Sequence, residues 1–398
     1  MTSHSDIVIV GGGIGGLACA LALQQRGFRP RVLERATEIS EIGAGLQISP
    51  NAACVLDALG LTPALEAAGC YPEGIHAHHW ESGRSLAHVR FADLEYDAPY
   101  IHIHRADLVG ALLAAVRAND PEAVQEGCTV DAVENGVGEA RVILKNGDWL
   151  RASWVIAADG IHSRLRDFVC DQPTPPRFTG NVAWRGLIPV DRLPTGLHPP
   201  KDANIWMGPG AHVVMYYVRR YEVLNFVGVT ERDNWQQESW TEKASLKDML
   251  GDFAGWDTRL FQILAHADPN ACYRWALFDR DPLPHWYRGR VMLLGDAVHP
   301  MLPFVAQGAA QAIEDAWVLA DALARWQKAP QFDPSAWYQA QRAPRCDRIQ
   351  RLARDNMKLF HERRAPVRMA RDLVAGGLAA MSPKLAARRV DWIYRHRS

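Results

Sequence analysis

The feature that most limits what this chain can become lies near its start. Residues 6–10, DIVIV, form an apolar, β-branched run of strand length. GGGIGG follows at 11–16, a helical pattern runs over 17–26, and Gly27 supplies a stop. A second strand, Pro30–Leu33, ends in Glu34 and Arg35, which places an acid 23 positions after Gly11. Strand, G-x-G-x-x-G, helix, strand and acid make a complete dinucleotide-binding βαβ unit. The glycines let backbone approach a pyrophosphate at the helix N-terminus, and the acid is placed to hold ribose hydroxyls.

At 398 residues the chain exceeds one average domain and suits two or three lobes. A formal charge of -1 offers no global attraction to nucleic acid, so no nucleic-acid partner is expected. The cysteines, at 19, 54, 70, 128, 170, 272 and 346, form no C-x-x-C pair and point to reduced thiols rather than a disulfide or zinc framework. MTSHSDIVIVGGG has no basic segment ahead of its apolar run, unlike a secretory signal. No apolar run approaches the roughly 18 residues of a membrane span. The expectation is a soluble, cytoplasmic protein with no transmembrane segment.

Two further turns combine glycine with an acid. Residues 154–158 read as a strand leading into Asp159-Gly160, with Ser163 and Arg166 beyond. Residues 291–294 form another buried strand, broken by Gly295-Asp296. A loop stiffened by Pro300 and Pro303 then leads through Gln307-Gly308 into a helix that reads from Ala309 onward and carries Glu314-Asp315. A strand-end carboxylate facing a helix N-terminus can seat a ligand with polar chains and developing negative charge. Alone, such a turn is more often an ordinary one in which Asp296 bonds local backbone. The three glycine turns together favour the ligand.

EIGAGLQISPN (41–51) is either a plain surface loop or backbone passing close to a ligand, with Asn51 a candidate cap for a helix over 52–59. Histidines crowd 71–104 (76, 78, 79, 88, 102 and 104). No carboxylate or cysteine partner sits nearby at ligand spacing, so no metal is assigned. A helix starting near 104 carries Arg105, which either reaches a phosphate or ring edge or is simply solvated.

Residues 176–275 are richer in Trp, Tyr, Val and Pro, with alternation at 182–190, 212–218 and 221–229. This predicts an antiparallel sheet inserted between segments of the first domain. His212, Val214 and Tyr216 share one of its faces. Either that face meets a ligand, or the two polar rings pack on the sheet. The fold class is therefore α/β: a discontinuous Rossmann-like domain (1–70, 101–175 and 276–340), an inserted antiparallel-sheet domain (71–100 and 176–275) and a C-terminal helical segment (341–398). From 342 onward 13 Arg and 2 Lys stand against 4 Asp and 1 Glu. The simpler account is the solvated side of a covering helix; the other is an anionic membrane surface or another subunit.

In order and separation the three sites resemble those of the single-component FAD-dependent aromatic hydroxylases, which share the fold of 4-hydroxybenzoate hydroxylase. The resemblance spans essentially the whole chain. Its wording is most similar to the branch acting on salicylate, 3-hydroxybenzoate and 6-hydroxynicotinate: GAGLQISPNA (43–52), HRADL (104–108), VAWRG (182–186) and HPMLPFVAQGAAQAIEDA (299–316). It implies FAD as cofactor, NADH or NADPH as co-substrate, and O2 and a small aromatic acid as reactants, joined through a flavin hydroperoxide.

Residue by residue, the resemblance implies that Gly11, Gly13, Ile14, Gly15 and Gly16 take the FAD pyrophosphate. Glu34 would take the adenosine ribose and Arg105 the flavin side, with Arg35, Gln47 and Val130 completing the cofactor contacts. Asp159 belongs to a motif serving both FAD and the nicotinamide. Asp296 would hold the pyrophosphate–ribityl region, and Gly308 and Ala309 would bring a helix N-terminus to the flavin N1–C2 carbonyl. His212 and Tyr216 match positions that bind and activate the phenol, with Gln47, Pro303 and Phe304 as further substrate contacts. The chain departs from the pattern at Pro303-Phe304, where some members offer Gln or His to a polar substrate group; Gln47 would supply that contact instead. The alternatives are the same scaffold acting on a quinolone, urate-like heterocycle or polyketide, or a non-hydroxylating flavoprotein whose basic tail meets a membrane or partner. A homodimer is compatible with the sequence.

Overall fold

A computed structural model describes residues 4–39, 44–171, 175–232, 245–269 and 271–398. The first part of the loop at 41–51, including Gly43, lies outside the described residues. The strand His4–Val10 is central to an eight-stranded sheet because it is apolar on both faces, with Ile7, Val8 and Ile9 fully buried. Pro30–Leu33 lies parallel on one side and Trp149–Ala157 parallel on the other, with Ile7 opposite Trp154 and Val10 opposite Ala157. Val291–Leu293 adds in parallel beyond Ala157. The glycine turns after Val10, Ala157 and Leu293 therefore leave the carboxyl ends of adjacent parallel strands. This is where ligands bind in open α/β sheets.

The helix Ile14–Gln25 follows the first turn and packs on helices Gly308–Lys328 and Arg105–Asn119. His104 caps the last of these, its Nδ1 accepting from the Ala106 N–H. Asn51 does not cap its helix. Pro50 suits the first helical position, so the helix Pro50–Ala58 starts earlier, Ser49 is its N-cap, and Asn51 points into the interior.

The second sheet has seven strands, in the order Tyr273–Asp279, Arg177–Pro189, Val223–Glu231, Ala211–Val218, Ala203–Gly208, Gly74–His79 and Ser85–Arg90. Its first strand runs past residue 275 to Asp279. Every pairing is antiparallel except that of Ala203–Gly208 with Gly74–His79. One face buries Trp184, Val213, Met215, Tyr217 and Phe226 together with residues of helices Leu246–Asp252 and Thr258–Leu264. The alternation then turns Arg185, His212 and Tyr216 to the opposite face, toward the glycine turns. The ribbon Gly45–Ile48 with Ile101–His104 joins the two sheets, Gly45 N–H donating to Asn225 Oδ1 at 2.7 Å.

Two expectations need correction. The histidine-rich strand does have a carboxylate neighbour: Asp202, remote in sequence, lies 3.7 Å from His76 and 3.3 Å from His88. The basic C-terminal segment, built of helices Pro334–Phe360, Ala365–Met381 and Pro383–Tyr394, is not simply a solvated face. Arg342 and Arg345 turn inward, leaving 1% and 8% of their side chains exposed. Among the described residues no helix is long and apolar enough to cross a membrane.

Candidate active site

The three turns and the inserted sheet enclose a cavity of about 330 Å³. Gly13, Ile14 and Gly15 line one wall, Gly295, Asp296, Gly308 and Ala309 a second, and Arg185, His212 and Tyr216 the sheet wall, with Gln47, Arg105 and Pro303 at the edges. Most of the residues expected at a site are thereby brought together.

The glycine turn is built for close backbone approach. Gly11 has φ +108°, and a Cβ there would collide with the Ala158 carbonyl; one on Gly16 would strike the Gly11 carbonyl. Gly13 and Gly160 instead face open space. Glu34 Oε2 accepts from Gly12 N–H at 2.7 Å and Oε1 from Ala36 N–H at 2.8 Å, so this acid also fixes the turn. Arg35 is exposed at the same corner. Val130 lies outside the cavity lining, but the segment leading to it runs beside Glu34: Cys128 N–H donates to the Glu34 carbonyl at 2.7 Å.

At the second turn, Asp159 Oδ2 accepts from Arg164 N–H at 3.0 Å, while Oδ1 is buried without a hydrogen-bond partner. Burial holds this carboxyl above its usual range. Ser163 caps the helix Arg164–Cys170, accepting from Arg166 N–H at 2.9 Å. Arg166, fully buried, donates to the Ala297 carbonyl at 2.7 Å, the Asp296 carbonyl at 2.8 Å and the Ile161 carbonyl at 2.9 Å. One guanidinium thus ties the second turn to the third. The Asp296 side chain is exposed to the cavity near the start of helix Gly308–Lys328, whose N-cap, Gln307, makes no side-chain cap bond. Its first-turn N–H groups are left to attract a negative charge. An orphan carboxylate oxygen, an open glycine cradle and an uncapped helix start fit FAD.

On the sheet wall Tyr216 is buried. A Cβ on Gly45 would come within 2.7 Å of its ring, so only glycine lets that ribbon lie against the phenol. Burial pushes the phenol well above its ordinary pKa, with Arg185 and Gln47 pulling it partly back. Gln47 Oε1 accepts from the Tyr100 hydroxyl at 2.7 Å. His212 shares Nδ1 with His361 Nε2 at 2.8 Å, and burial followed by the neighbouring imidazole holds it well below its usual pKa. Phe304 is corrected in place: the turn Pro303–Val305 directs it away from the cavity and behind His212, with ring centroids 5.1 Å apart. Pro303 alone of that pair reaches the cavity.

Three features had no role in the sequence reading. Arg185, from VAWRG, faces the cavity and stacks on Trp275 at 4.4 Å. His361 became visible only through its contact with His212. Glu314 and Asp315 are fully buried anchors: Arg342 Nε donates to Asp315 Oδ1 at 2.7 Å, and Arg345 donates to both Glu314 oxygens at 2.8 Å. Gly295 N–H and His299 also bond Asp315, while Asn51 donates to Glu314 at 2.6 Å, so the cluster supports the third turn from behind. Burial would raise both carboxyls, yet the surrounding cations hold each down at about 2.

Residues 4–353 match the family described as FAD binding domain. The 3-amino-4-hydroxybenzoate 2-monooxygenase PtmB3 of Streptomyces platensis is 37% identical over 372 residues, 92% of this chain and 91% of its own. A 6-hydroxynicotinate 3-monooxygenase of Pseudomonas fluorescens is 34% identical over 362 residues, 89% of this chain and 92% of its own. Among solved structures, HpxO of Klebsiella pneumoniae complexed with FAD and uric acid is similar, with a TM-score of 0.85 and 26% identity, covering 99% of this chain and 97% of its own.

Proposed function

Because this chain belongs to the FAD binding domain family and is a flavoprotein monooxygenase, we propose that it hydroxylates a small phenolic or hydroxypyridine carboxylate, using NADH or NADPH and O2. The observation that carries this reading is the convergence of Arg185, His212 and Tyr216 on one wall of a cavity whose other walls are the glycine turns. The relatives above are named for aminohydroxybenzoate and hydroxynicotinate, rings bearing both a hydroxyl and a carboxylate.

Bound FAD, reduced by the nicotinamide, supplies an electrophilic oxygen drawn from O2. The chain's own residues must hold the ring, enrich it in electrons and keep water away. Arg185 seats the carboxylate. Its Nε is shielded without a hydrogen-bond partner, and among the described residues it forms no ion pair. Burial lowers its pKa to about 10, which still leaves it charged at neutral pH. A carboxylate arriving there satisfies a cation that is otherwise costly to bury. Tyr216, protonated, donates to the substrate hydroxyl oxygen.

His212, neutral at neutral pH, accepts the phenolic proton at Nε2 and releases one from Nδ1 to His361 Nε2. His361 Nδ1 lies 3.6 Å from Glu231 Oε1, so a carboxylate stands beside the imidazole that receives the proton and stabilises its positive charge. Loss of the proton enriches the ring for attack. Leu277, Met301, Leu302 and Pro303 complete an apolar lining against water.

The test is NAD(P)H oxidation and O2 uptake with a panel of hydroxybenzoates, aminohydroxybenzoates and hydroxynicotinates, with products identified by mass. At least one acid should raise both rates together and emerge carrying one added oxygen. A panel that leaves both rates unchanged would falsify the reading.

A further inference from the structure

A second site lies on the inserted sheet, on the face turned away from the cavity. His76 sits opposite His88 on the neighbouring antiparallel strand and opposite Asn204 on the parallel one. Asn204 in turn faces Met215, a core residue of that face, whereas Tyr216, next along, lines the cavity. Asp202, just before the strand Ala203–Gly208, extends under both histidines. We propose that His76, His88 and Asp202 form a binding site for one divalent transition-metal cation of the zinc class.

Donor geometry is the first support. His76 Nδ1 lies 3.7 Å and His88 Nε2 3.3 Å from Asp202 Oδ2, and one ligand atom from each residue falls within 4.8 Å of the others. Nitrogen and oxygen ligands about 2.0–2.1 Å from a tetrahedral zinc stand about 3.4 Å from each other. The observed separations bracket that edge, and 3.7 Å is too long for a shared proton.

The second support is missing partners. His76 Nδ1, His88 Nε2 and Asp202 Oδ1 are all buried and none makes a well-aligned hydrogen bond, the nearest approach being that of His88 Nε2 to Asp202 Oδ2 at 3.3 Å. The third is orientation. His76 Nε2 is hydrogen-bonded to Ser85 Oγ at 2.8 Å. With that nitrogen protonated, Nδ1 turns a lone pair toward the Asp202 carboxylate, an arrangement that is repulsive until a cation lies between them. A hydrogen bond on the far ring nitrogen is how metal-binding histidines are held.

Two imidazoles and a carboxylate suit zinc better than calcium or magnesium. The His88 side chain, 35% exposed, leaves the fourth position open to water. The cation would clip the edge strand Ser85–Arg90 and its neighbour Gly74–His79 to the segment entering Ala203–Gly208. The buried group His299, Asp315 and Cys346 also offers three ligand atoms. It is not an equivalent site, because Arg342 and the Gly295 N–H already occupy the Asp315 carboxylate.

The test is zinc chloride titrated into untagged, FAD-loaded protein, with heat of binding and zinc retained after dialysis measured alongside thermal midpoint. The parent should take up a single equivalent and gain thermal stability. His88→Gln, at a partly exposed position, and Asp202→Asn should each weaken binding by roughly a hundredfold, and Ser85→Ala by about tenfold. FAD content serves as the control for folding. A parent that binds no saturable zinc, leaving the cluster a plain imidazole–carboxylate pair, overturns the proposal. So does an affinity unchanged in His88→Gln.

Discussion

At the residue scale, Arg185 and Tyr216 divide the work of holding one substrate. Tyr216 was legible in the sequence as one polar ring on an alternating strand. Arg185 was not, because nothing in VAWRG shows that residues 185 and 216 meet across a cavity built from distant strands. Phe304 shows the converse: it stands beside a lining residue in sequence, but a single 3-10 turn points it elsewhere. Tyr216→Phe should retain FAD yet lower the product formed per NAD(P)H, because the ring is seated without a donor at its hydroxyl. Product assay against O2 consumed checks this, and unchanged coupling removes Tyr216 from the mechanism. Arg185→Met should raise KM for a carboxylate substrate by roughly a hundredfold, about 2–3 kcal/mol of lost charged hydrogen bonding. A decarboxylated analogue should be nearly indifferent to the change, and equal losses for both compounds would place Arg185 outside the carboxylate site.

At the scale of elements, three strand–turn units do one job, and this part of the fold was the most legible. Each apolar run ends in a glycine turn, joined directly to an acid in two of the three, so strand, turn and helix could be placed from local chemistry. Their adjacency was not local information. It follows from the parallel register that puts Val10, Ala157 and Leu293 at one edge, and from Arg166 bridging the Asp159 and Asp296 turns. The ribbon at Gly45 was equally ambiguous until Tyr216 and Asn225 appeared against it. Asp296→Ala should release FAD on dialysis, since the third turn would lose its only carboxylate facing the helix start. Arg166→Met should weaken FAD binding as well, despite never touching the cavity, because both turns lose a shared anchor. Flavin fluorescence released during dialysis measures both variants. Full retention of FAD by Arg166→Met would mean the turns are held independently.

At the scale of the whole molecule, the C-terminal helices matter because they close the polar core behind the third turn. Counting charge along 342–398 gave an excess of basic residues but no direction, since the partners of Arg342 and Arg345 lie earlier in the chain on helix Gly308–Lys328. Burial alone favours the neutral acids; the paired cations reverse this and depress both carboxyl groups to about 2. The sign of the pH dependence follows. A depressed carboxyl contributes stability that is present above its unfolded pKa, about 4, and is lost as pH falls toward 2. Arg342→Met removes one cation shared by Glu314 and Asp315, leaving buried negative charge undercompensated at neutral pH. Urea unfolding at pH 7 should show a loss of about 3–5 kcal/mol. Acid unfolding should also begin at higher pH than in the parent, because less stability remains to be lost as other carboxyls protonate, while Glu314 and Asp315, their folded pKa values moved toward the unfolded ones, contribute a shallower pH dependence of their own. An acid-unfolding curve that superimposes on the parent's would show that Arg345 and His299 suffice, and that the inward turn of Arg342 contributes packing rather than charge.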